Sequence, residues 1–134
     1  MEPEISRFRV RSYELDSLGH VNHAVYLNWF EHARMEVLER VGLTLDELFR
    51  RRWLPTVVRI EVDYRSEARM GSELRIETTM EEMRRSSFVI RQKLLAESDG
   101  RLLAEARVVA VLVGSDGKAI PVPEEVRERF GATG

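Results

Sequence analysis

From Ala24 to Val41 the apolar residues Tyr26, Phe30, Ala33, Val37 and Val41 recur at steps of three and four, the spacing of one helical face. Val25, Leu27, Trp29 and Leu38 widen that stripe past the roughly 100° arc that an ordinary surface helix needs. The first two turns are apolar on nearly every side, whereas Glu36, Glu39 and Arg40 come later. A helix of this kind must be inserted into a core, deepest at its N-terminal half. Asn22 suits the N-cap and Gly42 the stop. Thr44-Leu45-Asp46-Glu47 then has the capping-box form and opens a short helix to about Arg52.

The rest of the chain alternates with the period of a sheet. Phe8, Val10 and Ser12 share one face ahead of the helix, against Arg7, Arg9 and Arg11. After it, Val58, Ile60, Val62 and Tyr64 form one inward row. Leu74, Ile76, Thr78 and Met80 form a second, and Phe88, Ile90, Gln92, Leu94 and Ala96 a third. Turns are expected at Met70-Gly71, Ser98-Asp99-Gly100 and Asp116-Gly117. Leu102 to Val113 is apolar on both faces, which predicts a central strand or one that covers an interface. Pro123 opens a last short helix to about Phe130. One long early helix followed by short-turned strands predicts an α+β domain, an antiparallel sheet wrapped around a helix. With 134 residues and no linker or repeat, a single domain over 1–134 is expected.

Composition narrows the function. A formal charge of −2, with basic residues scattered along the chain, gives no electrostatic reason to expect a nucleic-acid partner. The absence of cysteine excludes disulfides, thiolate metal sites and a cysteine nucleophile. No apolar run reaches the ~20 residues of a membrane span, and Met1-Glu2-Pro3-Glu4 does not start a signal peptide. A cytoplasmic protein without membrane partners is expected.

Between the first strand and the helix lies Tyr13-Glu14-Leu15-Asp16-Ser17-Leu18-Gly19-His20-Val21-Asn22-His23-Ala24-Val25-Tyr26, with two of the three histidines. A carboxylate just ahead of a helix N-terminus makes a workable catalytic pair. The acid attacks or takes a proton, and the orphan N–H groups with the positive helix end receive negative charge. Asp16 also has the plain reading of a turn-capping residue. His20, His23 and Asp16, with Glu31, invite a metal, but no helical zinc spacing is present and no metal is expected. Tyr26, Trp29 and Phe30 could line a pocket, although such stripes more often belong to the core, and Trp53 and Leu54 are candidate pocket walls on the same footing.

The order of elements, together with Asp16-x-x-Gly19-His20-Val21-Asn22-His23-Ala24-x-Tyr26-Leu27 and Val62-Asp63-Tyr64-Arg65, resembles the hotdog-fold acyl-CoA thioesterases. The nearest group is the 4-hydroxybenzoyl-CoA thioesterase family with its long-chain acyl-CoA relatives. The resemblance implies a hydrolase that cleaves acyl- or aroyl-CoA thioesters with Asp16 as nucleophile or general base. The helix N-terminus at His23 and Ala24 would form the oxyanion hole, and no cofactor beyond the coenzyme A of the substrate would be needed. Gly19, His20, Val21, Asn22 and Tyr26 would shape the substrate site. Arg65, Arg84, Arg85 and Ser87, with Arg69, are the candidates for the coenzyme. Many relatives carry a second acid two residues before the catalytic one; Glu14 stands there, and in a strand-like segment it would share a face with Asp16. Leu18 and Gly19 depart from the residues of two subgroups, so the substrate subgroup stays open. Relatives act as dimers or dimers of dimers, so a homodimer or homotetramer is implied.

The pKa of Asp16 should rise if its site is dry, unless the helix end offsets this. Two other readings compete. A hotdog hydratase would use an Asp and His pair, which Asp16 and His20 mimic without the proline usual between them. A non-catalytic acyl-CoA sensor would have lost the acid and usually carries a basic segment, which is not found before residue 5.

Overall fold

The computed structural model describes residues 2–131. Strand β1 (Glu4–Arg9) leads to a 3-10 turn (Ser12–Glu14), then helices α1 (His23–Arg40) and α2 (Leu45–Arg51). Strands β2 (Leu54–Tyr64), β3 (Glu73–Met83), β4 (Phe88–Ala96), β5 (Leu102–Val113) and β6 (Ala119–Ile120) follow, and helix α3 (Glu124–Arg129) comes last. The strands form one antiparallel sheet in the order β1-β3-β4-β5-β2, with β6 added to the end of β5. This is the α+β architecture the periodicities imply.

Helix α1 packs on the sheet through Tyr26, Trp29, Phe30, Ala33 and Val37, all buried. They meet Leu74, Ile76, Leu94, Ala104, Ala106 and Val108 in one core. One buried polar group joins the two layers. Gln92, 0% exposed on β4, donates from Nε2 to the Phe30 carbonyl (2.9 Å) and to Thr78 Oγ1 (3.1 Å). Its Oε1 accepts from Arg34 Nη1 at 2.9 Å. Buried amides are tolerable when satisfied in this way, and such a bond fixes the register of helix on sheet.

Three details depart from the expectations. The first strand stops at Arg9, because the Glu14 carboxylate accepts from the Arg11 N–H (2.7 Å) and folds Ser12–Glu14 into a turn. Glu14 therefore does not share a strand face with Asp16; its other oxygen accepts from Trp29 Nε1 at 2.6 Å. Helix α1 is not enclosed around its first turns, since the sheet covers one side and leaves Ala24 and Leu27 exposed. On β2, Ile60 and Val62 pack on the core, whereas Val58 is 58% exposed and Tyr64 40%. β2 lies at the sheet edge, and its pairing with β5 shifts register between Val57 and Arg59. A bulge there turns Val58 outward.

Candidate active site

The loop between β1 and α1 is closed by its own main chain. Leu15 bridges Val21, the Asp16 N–H donates to the His20 carbonyl (2.8 Å), and the Gly19 N–H donates to the Asp16 carbonyl (3.1 Å). Gly19 takes φ +79°, a conformation that a side chain would strain. Asp16 is exposed and sits at the hub: its Oδ1 accepts from the N–H groups of Leu18 (2.9 Å) and His20 (3.0 Å). Among the described residues, no hydrogen bond reaches Oδ2. The plain turn-capping role thus uses one oxygen of the carboxylate and leaves the other without a hydrogen bond among the described residues.

The His20 N–H lowers the pKa of Asp16 most; desolvation opposes it, and the Leu18 N–H and the His20 charge lower it further. The rise expected for a dry site is absent, because in this chain the carboxyl is open to solvent. Asp16 is ionised at neutral pH, as a nucleophile or general base must be.

Asn22 caps α1, its side chain accepting from the Ala24 N–H at 2.8 Å. The Val25 N–H donates to the Asn22 carbonyl at 2.9 Å. Of the first three amides of the helix, the His23 N–H alone lacks an acceptor among the described residues. Ala24, expected to share the oxyanion role, has its amide committed to the cap. The His23 imidazole stacks on Tyr64, with ring centroids 4.5 Å apart and planes at 28°. The Tyr64 hydroxyl donates to the His23 carbonyl at 3.1 Å. Burial, and then neighbouring Tyr26, push the Tyr64 phenol above its ordinary value, so it stays a donor. Tyr26 lies beneath, edge-on to Tyr64 at 5.2 Å, its hydroxyl accepting from the Ala68 N–H.

These groups surround a cavity of about 410 Å3 lined by Asp16, His20, Val21, Asn22, His23, Tyr26, Tyr64, Arg65, Ser66 and Glu67. The structure therefore brings together Asp16, His20, Val21, Asn22, His23, Tyr26 and Arg65, with Gly19 shaping the loop and Ala24 one residue inside the helix. Arg65 makes no ion pair among the described residues. His20 meets Asp16 through main-chain bonds, not as the imidazole partner that the hydratase reading needs. Among the described residues, no three histidine, aspartate or glutamate side chains converge as a metal shell.

Arg84, Arg85 and Ser87 are not at this cavity. They form the β3–β4 turn, closed by the Arg84 N–H on the Ser87 carbonyl (2.8 Å). Arg84 pairs with Glu82 (3.1 Å), and Arg127 of α3 donates to the Arg84 carbonyl (2.6 Å). In the sheet register that turn follows Met83↔Phe88 and Phe88↔Ala110, whereas Tyr64 lies against Ala104. The turn is thus at the other end of the strands from the Asp16 loop, and the expected grouping fails within one chain. Ser66 and Glu67 were not singled out from the sequence, and Tyr64 was read as the end of an inward row and as part of the Val62-Asp63-Tyr64-Arg65 stretch, not as a site residue. Tyr64 had a usable signal, an aromatic ending an inward row beside the helix start.

The profile of the Thioesterase-like superfamily matches residues 10–130. The chain belongs to that superfamily. It is 32% identical to the acyl-CoA thioesterase YbgC of Haemophilus influenzae over 92% of each chain. It is 29% identical to the long-chain acyl-CoA thioesterase FadM of Escherichia coli, over 93% of this chain and 95% of FadM. It also matches the chloroplastic acyl-acyl carrier protein thioesterase ATL3 of Arabidopsis thaliana at 26% identity, covering 91% of this chain but 64% of ATL3. The chain thus spans just under two thirds of that longer relative. The fold is the hotdog fold: 4-hydroxybenzoyl-CoA thioesterase, solved with 4-hydroxybenzoyl-CoA, superimposes with a TM-score of 0.89 at 24% identity, over 97% of this chain and 99% of that one.

Proposed function

We propose that this superfamily member hydrolyses acyl-CoA or aroyl-CoA thioesters to the free acid and coenzyme A. The observation that carries the reading is the pairing, on one cavity, of an ionised carboxylate and a helix N-terminal amide, Asp16 Oδ2 and the His23 N–H having no hydrogen-bond partner among the described residues. In the general-base form, Oδ2 of Asp16 takes a proton from water while the oxygen attacks the thioester carbonyl carbon. The carbonyl oxygen gains the electron pair and accepts from the His23 N–H. Collapse re-forms the carbonyl, breaks the C–S bond and returns the proton to the departing thiolate. In the nucleophilic form, Oδ2 attacks directly, coenzyme A leaves, and water cleaves the resulting anhydride. No group beyond the chain and the substrate is required in either form.

Arg65, which lines the cavity and makes no ion pair among the described residues, is assigned to a coenzyme phosphate. The eleven-residue strand β2 presents an open edge with exposed Val57 and Val58, and such an edge calls for a partner. We place a second copy there, antiparallel, giving a homodimer; a homotetramer then pairs two such dimers through other surfaces. In that dimer the ends of the two sheets exchange places, which supports Arg84, Arg85 and Ser87 serving the neighbouring copy's site. The reduced cytoplasm suits a cysteine-free enzyme acting on coenzyme A esters.

The test is turnover of short, long and aromatic acyl-CoAs by the purified protein and by Asp16→Asn. Hydrolysis should appear in the first and fall at least about 100-fold in the second, with enoyl-CoA hydration absent from both. After single turnover in 18O water, label on Asp16 shows the nucleophilic form with water attacking the aspartyl carbonyl of the anhydride. Unchanged turnover in Asp16→Asn would end the assignment.

A further inference from the structure

The loop that carries Asp16 is tied to helix α1 by a single side chain. Main-chain pairing toward β3 ends at Val10, whose N–H donates to the Ser72 carbonyl and whose carbonyl accepts from the Gly71 N–H. Beyond that point the loop bonds to itself. Among the described residues one hydrogen bond joins residues 11–21 to α1: Trp29 Nε1 donates to Glu14 Oε2 at 2.6 Å. The Glu14 side chain is only 9% exposed. Its other oxygen, Oε1, accepts from the Arg11 N–H at 2.7 Å, so both carboxylate oxygens are engaged.

Trp29 lies on the same helix as His23 and is buried there, its ring against Phe8 (centroids 5.0 Å apart) and Tyr26 (5.2 Å). An indole N–H only donates, and a buried one needs an acceptor. A main-chain carbonyl would serve that need alone. A carboxylate does more, since one oxygen takes the indole while the second takes the Arg11 N–H that shapes the turn ahead of Asp16. The result is a closed frame. It runs from Asp16 back to Glu14, across to Trp29, down α1 to His23 and the Asn22 cap, and home through the Leu15–Val21 bridge. Cut at Glu14, the frame opens, and Asp16 is held only by the bonds inside its own loop.

We propose that Glu14 is a positioning residue: its carboxylate clamps the loop to Trp29 and so sets where Asp16 Oδ2 stands relative to the His23 N–H. Glu14 does not line the Asp16 cavity and touches no reacting atom. The kinetic half of this inference rests on the hydrolase reading, whereas the clamp itself is read without substrate. A misplacement on the order of 1 Å between reacting groups can cost about 100-fold in rate, so a side chain outside the cavity can govern turnover.

The test uses the full-length protein, each variant checked for folding by circular dichroism. Glu14→Gln keeps the shape but turns an amide NH2 toward one of the two N–H donors. Trp29→Phe removes the indole N–H and keeps an aromatic ring against Phe8 and Tyr26. Each should lower kcat on one good acyl-CoA substrate by about 10- to 100-fold, with KM little changed because the cavity lining is intact. The double variant should be no slower than the more impaired single one, since the same link is cut once. Without substrate, 15N spectra should show the Trp29 indole proton, assigned by its loss in Trp29→Phe, moving upfield in Glu14→Gln. The amides of Leu18 and His20, which bond Asp16 Oδ1, should move in both single variants. Full kcat in folded Trp29→Phe would show that Glu14 only satisfies a buried indole, and would overturn the proposal. Additive losses in the double variant, a loss carried by KM alone, or Leu18 and His20 amides that stay in place would overturn it too. Should Glu14→Gln not fold, Trp29→Phe decides alone. If Asp16→Asn turns over substrate as the unmodified protein does, the hydrolase reading fails, and the amide spectra alone decide the clamp.

Discussion

The unbonded amide of His23 can be removed without removing the helix. His23 is the first helical residue after the Asn22 cap, the position at which proline is favoured because its N–H is an orphan there. The residue before a proline must be extended, and Asn22 already has φ −64° and ψ 142°. The bonds from Ala24 to the Asn22 side chain and from Val25 to the Asn22 carbonyl both survive. His23→Pro therefore deletes one donor, together with the imidazole stack on Tyr64. His23→Ala deletes the stack alone, so the ratio of the two variants isolates the amide. A single oxyanion donor is worth about 100- to 1,000-fold in kcat, and the cap leaves the site no second helix amide to share the load. Steady-state hydrolysis of one good acyl-CoA substrate should show His23→Pro slower than His23→Ala by that factor, with KM little changed and far-ultraviolet circular dichroism superimposable. Equal kcat in two folded variants would refute the oxyanion role of this amide.

Because the Asp16 carboxyl is held below its ordinary value of 3.8, its ionised form persists to lower pH than usual. The acid limb of kcat/KM should lie below that value, and a pH–rate profile with its inflection above it contradicts the assignment. The stability that Asp16 contributes has the same sign: present above the unfolded pKa and lost as pH falls through the lowered folded one. Gln92→Leu strands the Arg34 guanidinium and the Thr78 hydroxyl. It should cost about 3 kcal/mol or more in urea unfolding, and less when made in Arg34→Met; absence of that coupling would show the bonds are not cooperative. Val58→Lys on the open edge should shift the sedimentation coefficient toward a monomer, and an unchanged coefficient removes β2 as the dimer seam.

Much of the fold was legible because burial has a period. The stripe Tyr26, Phe30, Ala33 and Val37 is the buried face of α1, and the rows on β3 and β4 point inward as their alternation says. Period alone does not report what lies beside a strand. Val58 and Tyr64 alternate like their neighbours but sit on an edge, and a bulge rotates Val58 out. Nor does it report a side chain that captures main chain, as Glu14 does at Arg11, ending a strand the pattern would have continued. At the site, residues close in sequence were assembled correctly, from Asp16 to Tyr26, because a short loop into a helix leaves few arrangements. Arg84, Arg85 and Ser87 stand apart from the Asp16 loop of their own chain for the converse reason: a strand of eleven residues carries its turn to the other end of the sheet. The Ala24 amide failed differently, since the same asparagine that marks the helix start also uses up one of its donors.

The open margin of β2 has a consequence for how this chain tolerates change. If two copies meet antiparallel along that strand about a two-fold axis, the residue at the axis faces its own twin and every other contact occurs twice. A single altered codon then introduces two lesions at one seam, and a new charge there repels itself. Drift should be slow along this strand, and sharply slower at its centre than at its ends.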